Sequence, residues 1–198
     1  VVKMTKGIVA ATIEIYHKIS EDLLPTPSRF HYLFNLRDIS KVFQGMLMIR
    51  SRKCQSSEVM TRLWIHECQR IFYDRLISED DQEWFNKNML DLCSRHLKIS
   101  LNPEDVFDKK KPIVFADFMK PDADPRFYED VRDLGKLTNV LNDLLDNYNA
   151  EFPSQMNLVF FTDALCHAVR ISRILRQPRG NAMSRKLSYK FYFNILSL

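Results

Sequence analysis

"FNLRDISKVFQGML", residues 34–47, carries both the start of a helix and the reason it starts there. Asn35 offers a short side-chain oxygen to the free amides of a first turn, and Asp38, three residues on, sits near the positive end of the helix dipole. Behind them Leu36, Ile39, Phe43, Met46 and the pair Met48–Ile49 recur at helical spacing, which predicts a buried stripe. Only four of the 198 residues are glycine, the residue on which tight turns and phosphate-cradling loops rely. The capped helix therefore sets the expectation for the whole chain, a mainly α fold.

The neighbouring segments read the same way. "GIVAATIEIYHKISEDLL" (7–24) places Ile8, Ala11/Thr12, Ile15, Ile19 and Leu23 on one helical face, and "PTPS" (25–28) ends it because proline removes donors and forces extended chain. Ser57 is positioned to cap "EVMTRLWIHECQRIFYDRLI", with Val59, Leu63, Ile71, Phe72 and Leu76 inward. The acidic "SEDDQ" (78–82) opens a fourth helix, "EWFNKNMLDLCSRHL", which "KISLNPED" breaks. From Pro112 the texture changes: "PIVFADFM" is short and β-rich, and prolines at 112, 121 and 125 mark extended chain. Helical spacing resumes through Val131, Leu134, Leu137, Leu141, Leu144/Leu145 and Tyr148, and "MNLVFFTDALCHAVRISRIL" reads as a last helix, apolar on one side and arginine-rich on the other. The expected organisation is a helical domain over 1–111, a connector with a helix over 112–155, and a further unit opening at 156.

Composition narrows the function classes. The net charge of +4 is mild, and acidic and basic residues are interleaved, the pattern of a solvated helical surface and not of a nucleic-acid stripe. Lys109–Lys110–Lys111, between Asp108 and Pro112, reads as a solvated loop. Cys54, Cys68, Cys93 and Cys166 are scattered with no CxxC pair, as in a reducing compartment. No apolar run approaches the roughly 20 residues that span a bilayer, and no secretory signal is visible. A soluble, cytosol-type protein without nucleic-acid or membrane partners is expected.

Local chemistry offers no catalytic constellation. "HECQR" (66–70) begins like the HExxH zinc motif, but Arg70 stands where the second histidine must be, and arginine binds no metal. His66, Glu67 and Arg70 read instead as a solvated face with Glu67–Arg70 and Arg70–Asp74 contacts. Cys166 and His167 are adjacent, so a helix points them in different directions and they form no nucleophile–base pair. The aromatic "FYF" (191–193) near Arg185, Lys186 and Lys190 is too short to make a nucleic-acid surface. From residues alone the expectation is a helical interaction domain with no catalytic residue, no metal and no cofactor of its own.

Three long stretches add a resemblance. "PTPSRFHYLFNLRDISKVFQGML", "TRLWIHECQRIFYDRLISEDD" and "MNLVFFTDALCHAVRISRILRQPRGNA" resemble dynein heavy chains, the axonemal ones in particular, from the N-terminus to Ala182. The resemblance implies that residues 1–111 form the helical lid of the third AAA+ module of a motor ring and that residues 156–182 open the fourth. It implies a role for Arg37, in the "NLRD" context, as the residue of a lid helix that reaches the terminal phosphate of a nucleotide; without it Arg37 reads as a solvated first-turn side chain. For Trp64 and Phe72 it implies helix packing, and for His66, Glu67 and Arg70 polar contacts between helices or modules.

The intact parent so implied is an ATP-driven, minus-end-directed microtubule motor of cytoplasm, cytoskeleton and ciliary axoneme. It uses ATP or ADP with Mg²⁺, and its partners are the rest of the ring, other dynein chains and microtubules. After Ala182 the sequence departs into "MSRKLSYKFYFNILSL", a divergent tail over 183–198. No G-x-x-x-x-G-K-[ST] loop occurs anywhere, so no ATPase site is expected in this chain alone. A stand-alone helical interaction protein without motor or nucleotide function is the alternative.

Overall fold

The computed structural model describes residues 4–108, 110–120 and 125–182. These fall into two compact units, one ending at Ile113 and one beginning at Val114.

The first unit holds five helices among its described residues: α1 (Thr5–Asp22), α2 (Leu36–Met46), α3 (Ser57–Ile71), α4 (Glu79–Leu92) and the short α5 (Pro103–Phe107). A 3₁₀ turn, Tyr73–Arg75, joins α3 to α4, and a π turn, Cys93–Leu97, follows α4. Serines start α3 and α4, with the Ser56 Oγ accepting from the Val59 amide and the Ser78 Oγ accepting from the Asp81 amide. The cap of α3 is thus Ser56, one residue before the expected Ser57.

α3 is the central helix. Every side chain from Leu63 to Gln69 is buried, so it has no polar face open to water over those two turns. This corrects the expected solvated face at "HECQR": His66 is 1% exposed and Glu67 0%. Chain far along the sequence covers them, and the His66 Nδ1–H donates to the Ile113 carbonyl at 3.0 Å. The expected Arg70–Asp74 pair does form, at 3.3 Å.

Against α3 the buried Trp64 Nε1–H donates to the Thr12 Oγ at 2.8 Å, and that hydroxyl donates onward to the Ile8 carbonyl at 2.7 Å. Gly7, in the first turn of α1, lies against the π turn, where an added Cβ would stand 2.6 Å from the His96 carbonyl oxygen. Only a residue without a Cβ allows that approach.

In the second unit β1 (Val114–Ala116) pairs antiparallel with β2 (Glu129–Val131), Val114 opposite Val131, and helices α6 (Leu134–Glu151) and α7 (Thr162–Arg176) follow. Val131, expected on a helix, is a strand residue. Asp133 caps α6 with its side chain, accepting from the Gly135 and Lys136 amides, so helical structure starts only after it. Residues 156–161, also expected to be helical, are not. The Asn149 side chain bonds both the amide and the carbonyl of Met156, which takes those groups away from a helical ladder. One core joins the strands to both helices through Val114, Val131, Leu141, Leu145 and Ala168. Asp117, just past β1, accepts from the Ser172 Oγ at 3.1 Å and the Arg176 Nε at 2.8 Å.

Candidate functional site

The first turn of α2 is where local sequence and long-range packing meet. Asn35 has extended backbone, its side chain accepts from the Arg37 amide at 2.9 Å, and its own amide donates back to the Asp38 carboxylate at 3.0 Å. This reciprocal cap satisfies donors that a helix start otherwise leaves open. The cap also decides which face of α2 turns inward. Asp38, Val42 and Gly45 are buried, whereas Leu36, expected in the stripe, is 71% exposed, and Ile39, Phe43 and Met46 are only half-buried.

A carboxylate turned inward needs a partner, and Asp38, 2% exposed, has Arg75. The Arg75 guanidinium donates to both Asp38 oxygens and to the Leu33 carbonyl, and lies 5.5 Å from the Phe34 ring centre. A second pair stands beside it. Arg29 grips both oxygens of Asp81 at 3.0 and 2.8 Å, and the Tyr32 hydroxyl donates to Asp81 at 2.9 Å while accepting from the Ile77 amide. The His31 Nε2–H donates to the Arg75 carbonyl at 3.0 Å. Burial pushes the Tyr32 hydroxyl above its ordinary titration range, and the Asp81 charge adds to the effect.

The result is a segment, residues 29–38, fastened to residues 75–81 by two arginine–aspartate pairs, one from the loop to the first turn of α4 and one from α2 to the turn between α3 and α4. Arg37 is the contrasting member. Its side chain is exposed and makes no hydrogen bond or ion pair with the described residues, while its backbone amide is engaged in the cap. A guanidinium mounted at the positive end of a capped helix suits an incoming anion, phosphate above all.

The remaining sequence-predicted residues sit elsewhere. Trp64 and Phe72 are fully buried, and the Phe72 ring lies 6.1 Å from Phe34. His66, Glu67 and Arg70 lie on α3, away from the α2 cap in sequence; His66 bonds the Ile113 carbonyl and Arg70 pairs with Asp74. Among the described residues no group of three His, Cys, Asp or Glu could hold a metal, and no helix is long and apolar enough to cross a membrane. Burial pushes the Cys93 thiol up to about 12 and Cys68 well above its ordinary value, so neither is a nucleophile.

Sequence reasoning missed Arg29, Arg75 and Asp81. Asp81 was visible as one of three acids opening α4, but nothing local reveals a partner 52 residues away. It also missed a surface cluster in which Glu14 bonds Arg95 and His96, with Asp91 and Lys18 alongside. The hydrogen bonds from Arg95, then His96, pull Glu14 down to about 2.

Residues 8–103 match the AAA+ lid domain family, and residues 156–187 match the P-loop containing dynein motor region D4. "Dynein axonemal heavy chain 6" of Homo sapiens is 46% identical over 185 residues, covering 92% of this chain and 4% of that protein. "Dynein axonemal heavy chain 1" of Rattus norvegicus is 43% identical over 183 residues, and "Dynein axonemal heavy chain 10" of Homo sapiens 39% over 185, each again covering 92% of this chain and 4% of the relative. The chain therefore spans about 4% of the length of the curated relatives it matches.

Proposed function

The chain belongs to the dynein heavy-chain family, and on that footing we propose that residues 1–111 are the lid of the third AAA+ module of a motor ring, sensing nucleotide through Arg37. In this reading residues 112–155 connect, residues 156–182 open the fourth module, and 183–198 are a divergent tail outside the described residues. Trp64 and Phe72 anchor the helix packing of the lid, and His66, Glu67 and Arg70 supply polar contacts between helices or modules. The parent is an ATP-driven, minus-end-directed microtubule motor of the ciliary axoneme, acting with other dynein chains. Its lid shifts against the ring and passes strain between modules.

One observation carries this reading: the exposed Arg37 guanidinium on a first turn held by a reciprocal cap. It fits the anionic end of a nucleotide and nothing more. ATP or ADP with Mg²⁺ needs the phosphate loop and acidic Mg²⁺ partner of a large α/β domain, and this sequence contains no G-x-x-x-x-G-K-[ST]. The role of Arg37 is to bind phosphate charge held by that other domain.

The test is nucleotide affinity at the site beneath this lid, in an intact heavy chain carrying the sequence, with Arg37→Ala. A charge-assisted bond to phosphate is worth about 1.5–3 kcal/mol, so roughly a 10- to 100-fold loss is expected. Unchanged affinity removes Arg37 from the site.

A further inference from the structure

We infer that Asp38 and Arg75 are positioning residues that hold Arg37 in register for the phosphate; the inference rests on the reading of Arg37 given above. A buried ion pair is weak evidence for stability, because apolar side chains of similar volume often serve as well. What this pair does that an apolar contact does not is fix direction. The Asp38 carboxylate receives the Asn35 amide from its own helix start and the guanidinium fork of Arg75 from the α3–α4 turn. The same guanidinium holds the Leu33 carbonyl and lies against the Phe34 ring.

Backbone and side chains at 33, 34, 35 and 38 are thus referenced to one arginine 37 residues beyond Asp38 in sequence. Arg37 projects from the middle of that held segment, outward where Asp38 points inward. A long, flexible side chain on a fixed base loses less freedom on binding than one on a loose base. A shift of about 1 Å in its origin is enough to misplace a bidentate phosphate contact.

The experiment compares Arg75→Lys, which keeps the charge and loses the fork, and Asp38→Asn, which keeps the shape, with Arg37→Ala in an intact heavy chain. Two quantities are read: nucleotide affinity at this site, and hydrogen exchange of residues 33–38 without nucleotide, with continued protection of α3 confirming the fold. Both positioning variants are expected to speed exchange at 33–38 and to weaken nucleotide several-fold. On an Arg37→Ala background they are expected to weaken it no further.

Full additivity on that background overturns the inference, since the effect then bypasses Arg37. Faster exchange with unchanged affinity, alongside a weakened Arg37→Ala, overturns positioning and leaves the role of Arg37 standing. Unchanged affinity in Arg37→Ala itself removes that role and the inference with it.

Discussion

Thr12→Val isolates a single buried hydrogen bond in the first unit. Valine has the shape of threonine, so the substitution opens no cavity; it removes the oxygen that accepts from the Trp64 Nε1 at 2.8 Å. Indole is a donor only and has no other use for its N–H, and both side chains are fully buried, so water does not replace the acceptor. The Ile8 carbonyl loses a hydroxyl but keeps its helical partner, so the cost falls on Trp64. Leaving a buried donor unsatisfied costs about 1–3 kcal/mol. Thr12→Ser keeps the oxygen and loses one methyl, which costs about 0.8 kcal/mol in transfer plus a small cavity contribution.

Serine is therefore expected to be the milder change although it alters more volume. The assay is urea unfolding followed by tryptophan fluorescence. Both tryptophans, Trp64 and Trp84, precede Ile113, so the signal reports the first unit alone. In the double variant Thr12→Val/Trp64→Phe the loss from valine should shrink, because no donor is left to orphan. Thr12→Val at least as stable as Thr12→Ser, with unchanged denaturant slope, refutes the reasoning.

Other outcomes follow from the same geometry. Gly7→Ala gains about 1 kcal/mol of helix propensity but drives a Cβ to 2.6 Å from the His96 carbonyl. A net loss of about 1–3 kcal/mol is expected, and a stabilised variant in the same urea assay contradicts the close approach. Glu14 is depressed from 4.5 to about 2 by Arg95 and His96. Its contribution is thus present above pH 4.5 and lost as pH falls towards 2, and Glu14→Gln should flatten the stability profile across that window. An aromatic disulfide reagent is expected to label Cys166, which is partly exposed, before the buried Cys68 and Cys93, as peptide mass spectrometry at short reaction times would reveal; first labelling at Cys68 would mean that α3 opens readily.

How far the sequence could be read depended on the reach of each interaction. The Asn35 cap was legible because donor and acceptor lie within three residues and depend on nothing else. The helix start at "SEDDQ", where the Ser78 Oγ accepts from the Asp81 amide, was legible for the same reason, and the helix stop at "PTPS" because proline acts on its own and the preceding residue. The Val131 strand was not, because its only β signal is a partner, Val114, across the intervening proline-containing chain. The burial of His66 and Glu67 was not, because the spacing of "HECQR" suits an exposed i,i+4 surface and the covering chain arrives 47 residues later at Ile113.

The candidate site divides along the same line. Arg37 enters as a candidate through the resemblance, and its cap was legible from local spacing. The face that α2 turns inward could not, since apolar periodicity favours Leu36, Ile39 and Phe43, whereas the structure buries Asp38. Hydrophobic burial alone would rotate α2 to bring Leu36 inward at about 1.5–3 kcal/mol for a fully buried leucine. That rotation would expose Asp38 and strand Arg75, and breaking a buried pair costs about 3–5 kcal/mol. The ion pair outweighs the leucine, and Arg37 faces solvent as a consequence. Replacing Asp38 by serine and Arg75 by alanine, which removes the pair without supplying an apolar contact in its place, should therefore let α2 rotate towards its periodic face. Protection of Arg37 from an arginine-modifying dicarbonyl reagent, compared with the unaltered chain, measures that rotation. Equal reactivity would mean that the cap at Asn35 fixes the face without help from Arg75.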